Sequence, residues 1–227
     1  MASIRMPKIG SIIRNDDNSF DVGPIPGLGG PFSTATEFFG AWARHAKFPT
    51  SDSKIRQCMG NGPVEEVMRS IKDFPNCLER LACHISTTND SGPFPLYHPD
   101  FYQSNIIVDE QFKVLSVIDW EGASTVPWEL VQLPLFLGFL PPKMGDPNNY
   151  EPDGRPKDED DRRRLHERSE YVKHVQAKEH ELNTDRKLSG ILLNPDVQAL
   201  AYAIKVYLDP GKMGFYCEVL EPFDSSS

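Results

Sequence analysis

One segment, residues 96–122, constrains the fold of this chain more than any other; it reads LYHPDFYQSNIIVDEQFKVLSVIDWEG. Two short apolar runs, at residues 106–108 and 114–118, flank a turn and predict a β-hairpin. Such a hairpin places Asn105, at the start of its first strand, beside Asp119, at the end of its second. An amide oxygen and a carboxylate in these positions suit a hard cation such as Mg²⁺, which takes one or two carboxylates and leaves its other positions to water and phosphate oxygens.

A second pattern lies at the beginning of the same segment. Asp100 precedes Asn105 by five residues, as in kinase catalytic loops of the form H/Y-x-D-x-x-x-x-N, and His98 occupies the first position. In such loops the aspartate orients the attacking hydroxyl and accepts its proton. Alone, Asp100 and Asn105 would more often be cap or turn residues, and Asp119 a turn former at the end of a strand. The combined spacing and the hairpin favour a kinase-type site.

Asp100 and His98 are therefore the candidate catalytic residues. For His98 we favour a structural, hydrogen-bonded imidazole over a general base, because Asp100 already holds the position that kinases use for that role.

The stretch HPDFYQSNIIVDEQFKVLSVIDWEGASTVPWEL, residues 98–130, is similar to the corresponding part of the aminoglycoside phosphotransferase (phosphotransferase enzyme) family, especially of its fungal members. The upstream sequences IGSI and FDVGPIPGLGGPF and the region around Trp42 extend this resemblance over nearly the whole chain. The resemblance implies an α+β, mainly helical fold, namely a protein-kinase-like C-terminal lobe with a catalytic β-hairpin. It also implies Mg²⁺ as a cofactor and a hydroxyl of a small molecule as the phosphoryl acceptor.

The family motif implies a role for each matching residue. Asp100 is the catalytic base, Asn105 and Asp119 are the magnesium ligands, and His98 is a structural residue of the catalytic loop. The role of Glu121 stays open.

The residues before this segment do not match a nucleotide-binding lobe. Kinases of this class use a lysine on a strand of a small N-terminal sheet, but only 22 residues precede GPIPGLGGP, and neither Lys8 nor Lys47 lies in a sequence like V-A-I-K. GPIPGLGGP lacks the Lys-Ser/Thr of a P-loop and predicts an ordinary loop. We expect residues 1–227 to form a C-lobe without its N-lobe, with uncertain ATP binding and negligible turnover. A truncated gene model, a genuine short product and a degenerate paralogue all fit a start at Met1.

Three classes of function remain open. The first is phosphotransfer from ATP to a small-molecule hydroxyl, impaired by the missing lobe. The second is a non-catalytic, pseudokinase-like binding or regulatory module, which the missing lobe favours. The third is a metal-dependent hydrolase that uses Asp100, Asp119 and Glu121, because clustered carboxylates also serve metal-assisted hydrolysis.

Composition excludes several partners. A formal charge of −9 and a pI of about 5.2 argue against a nucleic-acid partner, which needs a basic face. The four cysteines follow no zinc-binding spacing and are too sparse for a disulfide scaffold. The N-terminus has no apolar signal region, and the longest apolar stretch, residues 130–140, is too short to span a bilayer. We expect a cytoplasmic protein without a membrane partner; the oligomeric state stays open.

Local patterns also predict elements in the first quarter of the chain. Apolar residues on either side of a polar turn predict a short hairpin near residues 9–22. Residues 34–47 predict a helix, since Thr34 and Glu37 have the spacing of a capping box.

The remaining elements are predicted to be helices and one long loop. We expect Pro75 to divide residues 63–85 into two short helices. Residues 160–182 predict a long charged helix, and residues 194–208 predict a last helix with proline in its first turn. Residues 141–163, rich in proline, glycine and charge, are expected to form the most flexible loop.

Overall fold

The computed structural model describes residues 2–60 and 62–224 and has an α+β fold, about 48% helical, with a curled antiparallel sheet. The α-helices are α1 (Ala35–His45), α2 (Asp52–Met59), α3 (Val64–Ile85), α4 (Glu159–Glu181), α5 (Lys187–Leu193) and α6 (Pro195–Val206). The strands are β1 (Arg5–Met6), β2 (Gly10–Arg14), β3 (Phe20–Gly23), β4 (Phe94–Tyr97), β5 (Ile106–Val108), β6 (Val114–Val117) and β7 (Ser124–Thr125). Short 3-10 helices lie at Gln103–Asn105, Trp128–Leu130, Leu135–Leu137, Pro142–Met144, Pro147–Asn149 and Tyr216–Phe223. The predicted α+β class is confirmed.

No helix in residues 2–60 and 62–224 combines the length and the apolar character needed to cross a bilayer.

Both predicted hairpins are present. β2 and β3 pair antiparallel, with Ile12 opposite Val22, and β5 and β6 form a separate two-stranded sheet. The larger sheet has the order β1-β4-β7-β2-β3, so short strands from the middle of the chain join the N-terminal hairpin. Gly10 allows this close packing, because a Cβ added there would lie 2.2 Å from the carbonyl oxygen of Gly23.

Three of the predicted helices are confirmed, with small changes at their ends. Thr34 accepts a hydrogen bond from the backbone N–H of Glu37 and forms the predicted capping box of α1. α4 begins at Glu159, where the side chain of Asp158 caps it, and α6 begins at Pro195 under the cap of Asn194. Helices α2 and α5 were not predicted.

The expectation that Pro75 divides residues 63–85 into two helices is wrong, because α3 runs through Pro75 without a break. Proline has no N–H, so it leaves the carbonyl of Ile71, four residues earlier, without its helical partner. The hydroxyl of Tyr207 supplies the missing donor at 2.9 Å, in a buried position. The helix therefore continues because a residue from another element satisfies the carbonyl that proline exposes.

The same tyrosine belongs to an aromatic cluster at the centre of the main core. The ring centroid of Tyr207 lies 5.5 Å from that of Trp42 on α1, 5.4 Å from that of Phe74 on α3 and 5.2 Å from that of Tyr216. Burial raises the pKa of Tyr207 to about 12, so its hydroxyl keeps the proton that it donates. The cluster joins α1, α3, α6 and the C-terminal 3-10 helix.

The predicted loop over residues 141–163 is shorter than expected. Its last five residues belong to α4, and it contains the two 3-10 helices at Pro142–Met144 and Pro147–Asn149. Met144 is buried in the main core, so this end of the loop packs against the body of the protein. The flexibility of the segment stays a prediction.

We expect Tyr207→Phe to lower the free energy of unfolding by about 1–3 kcal/mol, because it leaves the buried carbonyl of Ile71 without a donor. Pro75→Ala restores an N–H that can bond this carbonyl. In the Pro75→Ala background, the loss caused by Tyr207→Phe should therefore be smaller by roughly 1 kcal/mol. Urea denaturation of the four proteins of this double-mutant cycle measures the difference.

Tyr202→Phe is the matched control, because Tyr202 lies on α6 and its hydroxyl makes no hydrogen bond with the residues that the structure describes. This control should change stability by no more than about 0.5 kcal/mol. If Tyr207→Phe lowers the free energy of unfolding equally in the wild-type and Pro75→Ala backgrounds, the Tyr207 hydroxyl does not compensate for Pro75.

Candidate functional site

His98 follows β4 and connects the beginning of the HxDxxxxN loop to the end of the β5–β6 hairpin. Its side chain is buried, with 2% of its surface exposed. The ring Nε2 lies 2.9 Å from the carbonyl oxygen of Ile118, and the backbone N–H of Asp100 donates to Nδ1 at 3.2 Å. A carbonyl only accepts and an amide N–H only donates, so these partners assign the proton to Nε2. Both ring nitrogens are therefore used within the protein.

Aromatic rings hold this imidazole in place. The centroid of the Trp120 ring lies 4.8 Å from that of His98, and the centroid of Phe101 lies 6.0 Å away. The indole N–H of Trp120 donates to the carbonyl of Val117 at 2.8 Å. The residues that directly follow Asp100 and Asp119 thus pack against the same ring.

Asn105 ends a 3-10 turn and is buried directly before β5. Its Nδ2 donates to the backbone carbonyl of Asp100 at 2.8 Å and to the Asp100 carboxylate at 3.0 Å. Because Nδ2 makes both bonds, the amide oxygen Oδ1 occupies the other branch of the side chain. The structure therefore brings the predicted base and one predicted metal ligand into direct contact.

Asp119 is one residue beyond the point where the hairpin meets the HxDxxxxN loop. The backbone N–H of Ile118 donates to the carbonyl of Asn105 at 3.0 Å, and Asp119 follows with an exposed side chain. Its φ of 62° is in the left-handed region, which aspartate tolerates better than most residues and which is enriched at functional sites. Glu121 is exposed and forms no hydrogen bond or ion pair with other described residues.

The oxygen ligands that this loop offers fit a magnesium ion better than a metal ion that is held by protein ligands alone. Within residues 2–60 and 62–224, no three His, Cys, Asp or Glu side chains come together as a metal site. Magnesium needs fewer protein ligands, since it keeps several waters and takes phosphate oxygens. The amide oxygen of Asn105 and the carboxylates of Asp119 and Asp100 have this chemistry.

The two lysines considered for a phosphate-binding role do not lie on strands. Lys8 is between β1 and β2, and Lys47 follows α1.

Lys205, on α6, is a candidate that the sequence analysis missed. Desolvation lowers the pKa of Lys205 below its usual value, and the carboxylates of Asp209 and Asp100 partly oppose this shift. The helical periodicity of residues 194–208 places Lys205 on the polar face of α6. No local motif connects it to a loop about 100 residues earlier, so only the tertiary structure indicates that it lies near Asp100.

Comparison with protein-family models, with curated proteins and with solved structures found no match to this chain. The resemblance to the aminoglycoside phosphotransferase family, and the roles that it implies for Asp100, His98, Asn105 and Asp119, therefore stay predictions.

We expect His98→Phe to lower the free energy of unfolding by about 1–3 kcal/mol, because it keeps a ring between Trp120 and Phe101 but removes both nitrogens. The backbone N–H of Asp100 should then exchange with solvent faster, as hydrogen exchange would detect. His84→Gln, at an exposed position of α3, is the control and should leave stability nearly unchanged. A His98→Phe variant with wild-type stability and exchange would show that the two hydrogen bonds do not hold the loop.

Proposed function

We propose that this chain provides the catalytic loop of a kinase-type phosphotransferase, which moves the terminal phosphoryl group of ATP to a hydroxyl of a small molecule. One observation carries the proposal: the Asp100 carboxylate lies 3.0 Å from Nδ2 of Asn105, and the backbone of Asn105 pairs with the residue before Asp119. A coincidental match to a short motif requires neither the contact between Asp100 and Asn105 within the loop nor the pairing of Asn105 with Ile118 at the far end of the hairpin.

Asp100 orients the acceptor hydroxyl and takes its proton as the hydroxyl oxygen bonds to the γ-phosphorus. The bond between that phosphorus and the β,γ-bridging oxygen breaks, and ADP leaves with the electron pair. Asn105 positions Asp100 through the two hydrogen bonds of its Nδ2. His98 acts only as a positioning residue, because both of its ring nitrogens are already bonded to the backbone.

Asn105 Oδ1 and the Asp119 carboxylate would hold Mg²⁺. When bound, this ion neutralises charge on the phosphate oxygens and fixes their orientation. The backbone of Asp119 has the left-handed conformation directly after Ile118, and its carboxylate is exposed, so a metal ion can reach it.

A second candidate is a binding module without turnover. The observation that favours it is that neither Lys8 nor Lys47 lies on a strand, where a kinase places the lysine that binds the phosphates. Such a module would keep the metal ligands and bind its small molecule without transferring phosphate.

We expect the chain to bind Mn²⁺, used as a probe for Mg²⁺, and Asp119→Asn to weaken this binding by at least about tenfold, because it removes a charged ligand. Electron paramagnetic resonance of free Mn²⁺ measures the affinity. Asp109→Asn is the matched control, since Asp109 lies in the same hairpin and its Oδ1 accepts from the backbone N–H groups of Gln111 and Lys113. Equal losses in the two variants would refute the assignment of Asp119.

The chemical step has its own test. Phosphate release from Mg-ATP by the chain alone should be negligible, because phosphoryl transfer depends on groups that hold the γ-phosphate in line. With a kinase-type nucleotide-binding lobe supplied as a fusion, we expect turnover that Asp100→Ala lowers by about 10²–10⁴. Turnover that is indifferent to Asp100→Ala would contradict the proposed base. Mn²⁺ binding without any Asp100-dependent transfer would favour the binding module.

A further inference from the structure

A cleft of about 740 Å³ lies beside the catalytic loop. Its walls come from α4, α5, α6 and the segment over residues 132–142, and Tyr102 of the HxDxxxxN loop also lines it. The backbone N–H of Leu135 donates to the carbonyl of Phe101 at 3.1 Å, so the loop and the cleft share a wall. A cleft of this size can enclose a small organic molecule.

The charges of the cleft differ in sign from those of the whole chain. Four basic and two acidic side chains line it, a formal excess of +2, whereas the chain carries −9. The basic residues are Arg164, Arg168, Lys205 and Lys212, and the acidic residues are Asp161 and Asp209. This local reversal of charge attracts an anion to one place on an otherwise acidic protein.

Arg168 is the half-buried member of this set. Its Nη1 donates to the carbonyl of Leu137 at 3.2 Å, and its guanidinium lies 5.9 Å from the centroid of the Phe139 ring. In the part of the chain that the structure describes, Arg168 forms no ion pair with a carboxylate. Desolvation destabilises the charged guanidinium and lowers the pKa of Arg168, and a bound anion would offset this destabilisation. A guanidinium has five N–H donors, and most of those of Arg168 remain free for a ligand.

Lys205 supplies a second cation that forms no ion pair with the residues that the structure describes. It makes no hydrogen bond with the described residues, and it lies close enough to Asp100 to feel that carboxylate. An anion held between Arg168 and Lys205 would therefore lie near the catalytic loop.

The rest of the lining is largely apolar. Side chains of Leu137, Phe139, Leu140, Leu165, Leu193 and Tyr202 contribute to it. A simple inorganic anion would leave this surface unused, whereas an anion with an apolar body would cover it.

We propose that this cleft binds a small amphipathic organic anion, a carboxylate or a phosphate monoester, whose charged end contacts Arg168 and Lys205 and whose apolar body lies against the leucines of the cleft. If the proposed function holds, this anion is also the phosphoryl acceptor, and a hydroxyl group that it carries is directed toward Asp100; this part of the inference rests on the proposed function. Binding itself does not depend on that function.

Four probes with the same octyl chain separate charge from hydrophobicity: nonanoate, octyl phosphate, octan-1-ol and octylamine. Isothermal titration calorimetry on the full chain, without ATP or a metal ion, should show that at least one of the two anions binds. The alcohol and the amine should bind at least about tenfold more weakly, because charge-assisted hydrogen bonds are worth about that factor. The ratio between the two anions identifies the preferred charged group.

Single substitutions test whether the named cleft residues contact the anion. Arg168→Gln and Lys205→Gln should each weaken binding of the preferred anion by about tenfold, and Asp209→Asn should strengthen it, since it removes a negative charge from the cleft. Arg163→Gln is the matched control, because Arg163 lies on the same helix, outside the cleft, and pairs with Asp160. Lys205 lies on the exposed side of α6, so Lys205→Gln should fold and tests the inference even if Arg168→Gln does not fold.

Equal binding of the four probes would overturn the inference, and so would an Arg163→Gln loss as large as that of Lys205→Gln. Since the titration contains no ATP, selective anion binding together with a lobe fusion that shows no Asp100-dependent phosphoryl transfer would refute the proposed function and leave the cleft assignment intact.

Discussion

The hydrogen bonds of a single imidazole hold the candidate site together. A two-stranded hairpin is marginally stable by itself, and the strands β5 and β6 are short and largely exposed. Ile118 connects the end of this hairpin to the rest of the protein in two ways: its N–H bonds the carbonyl of Asn105, and its carbonyl accepts from His98. His98 also receives the N–H of Asp100. The position of Asp100 relative to Asp119 therefore depends on this buried ring as well as on the hydrogen bonds of Asn105.

The fold could be predicted from the sequence where its signals are local. The capping box of Thr34 and the two hairpins depend on residues within a few positions of one another, and these elements are present. The continuity of α3 could not be predicted in this way, because the hydroxyl that compensates for Pro75 comes from a residue 136 positions beyond Ile71. The strands β1 and β7 contain only two residues each, too few for an alternating pattern, and they exist because the sheet pairs them.

The candidate site likewise contains residues that local sequence signals predict and residues that only the tertiary structure reveals. The spacing of five between Asp100 and Asn105 predicts a contact within one loop, and the two side chains are hydrogen-bonded. Arg168 and Lys205 carry no such signal, because each reaches the cleft only after α4 and α6 pack beside the segment over residues 132–142. Arg168 also forms no ion pair with a carboxylate among the described residues, a tertiary feature that composition alone does not reveal.

The bond between Tyr207 and Ile71 limits the order in which this protein can change over generations. While Pro75 is present, replacement of the tyrosine leaves a buried carbonyl without a partner, so selection for stability acts against it. Once another residue replaces the proline, the backbone supplies its own N–H and the hydroxyl becomes dispensable. Descendants of this chain can therefore lose the proline first and the tyrosine afterwards, while the reverse sequence passes through a less stable intermediate. Among related chains, a proline at this place in α3 should occur together with a hydroxyl donor at the residue that follows α6.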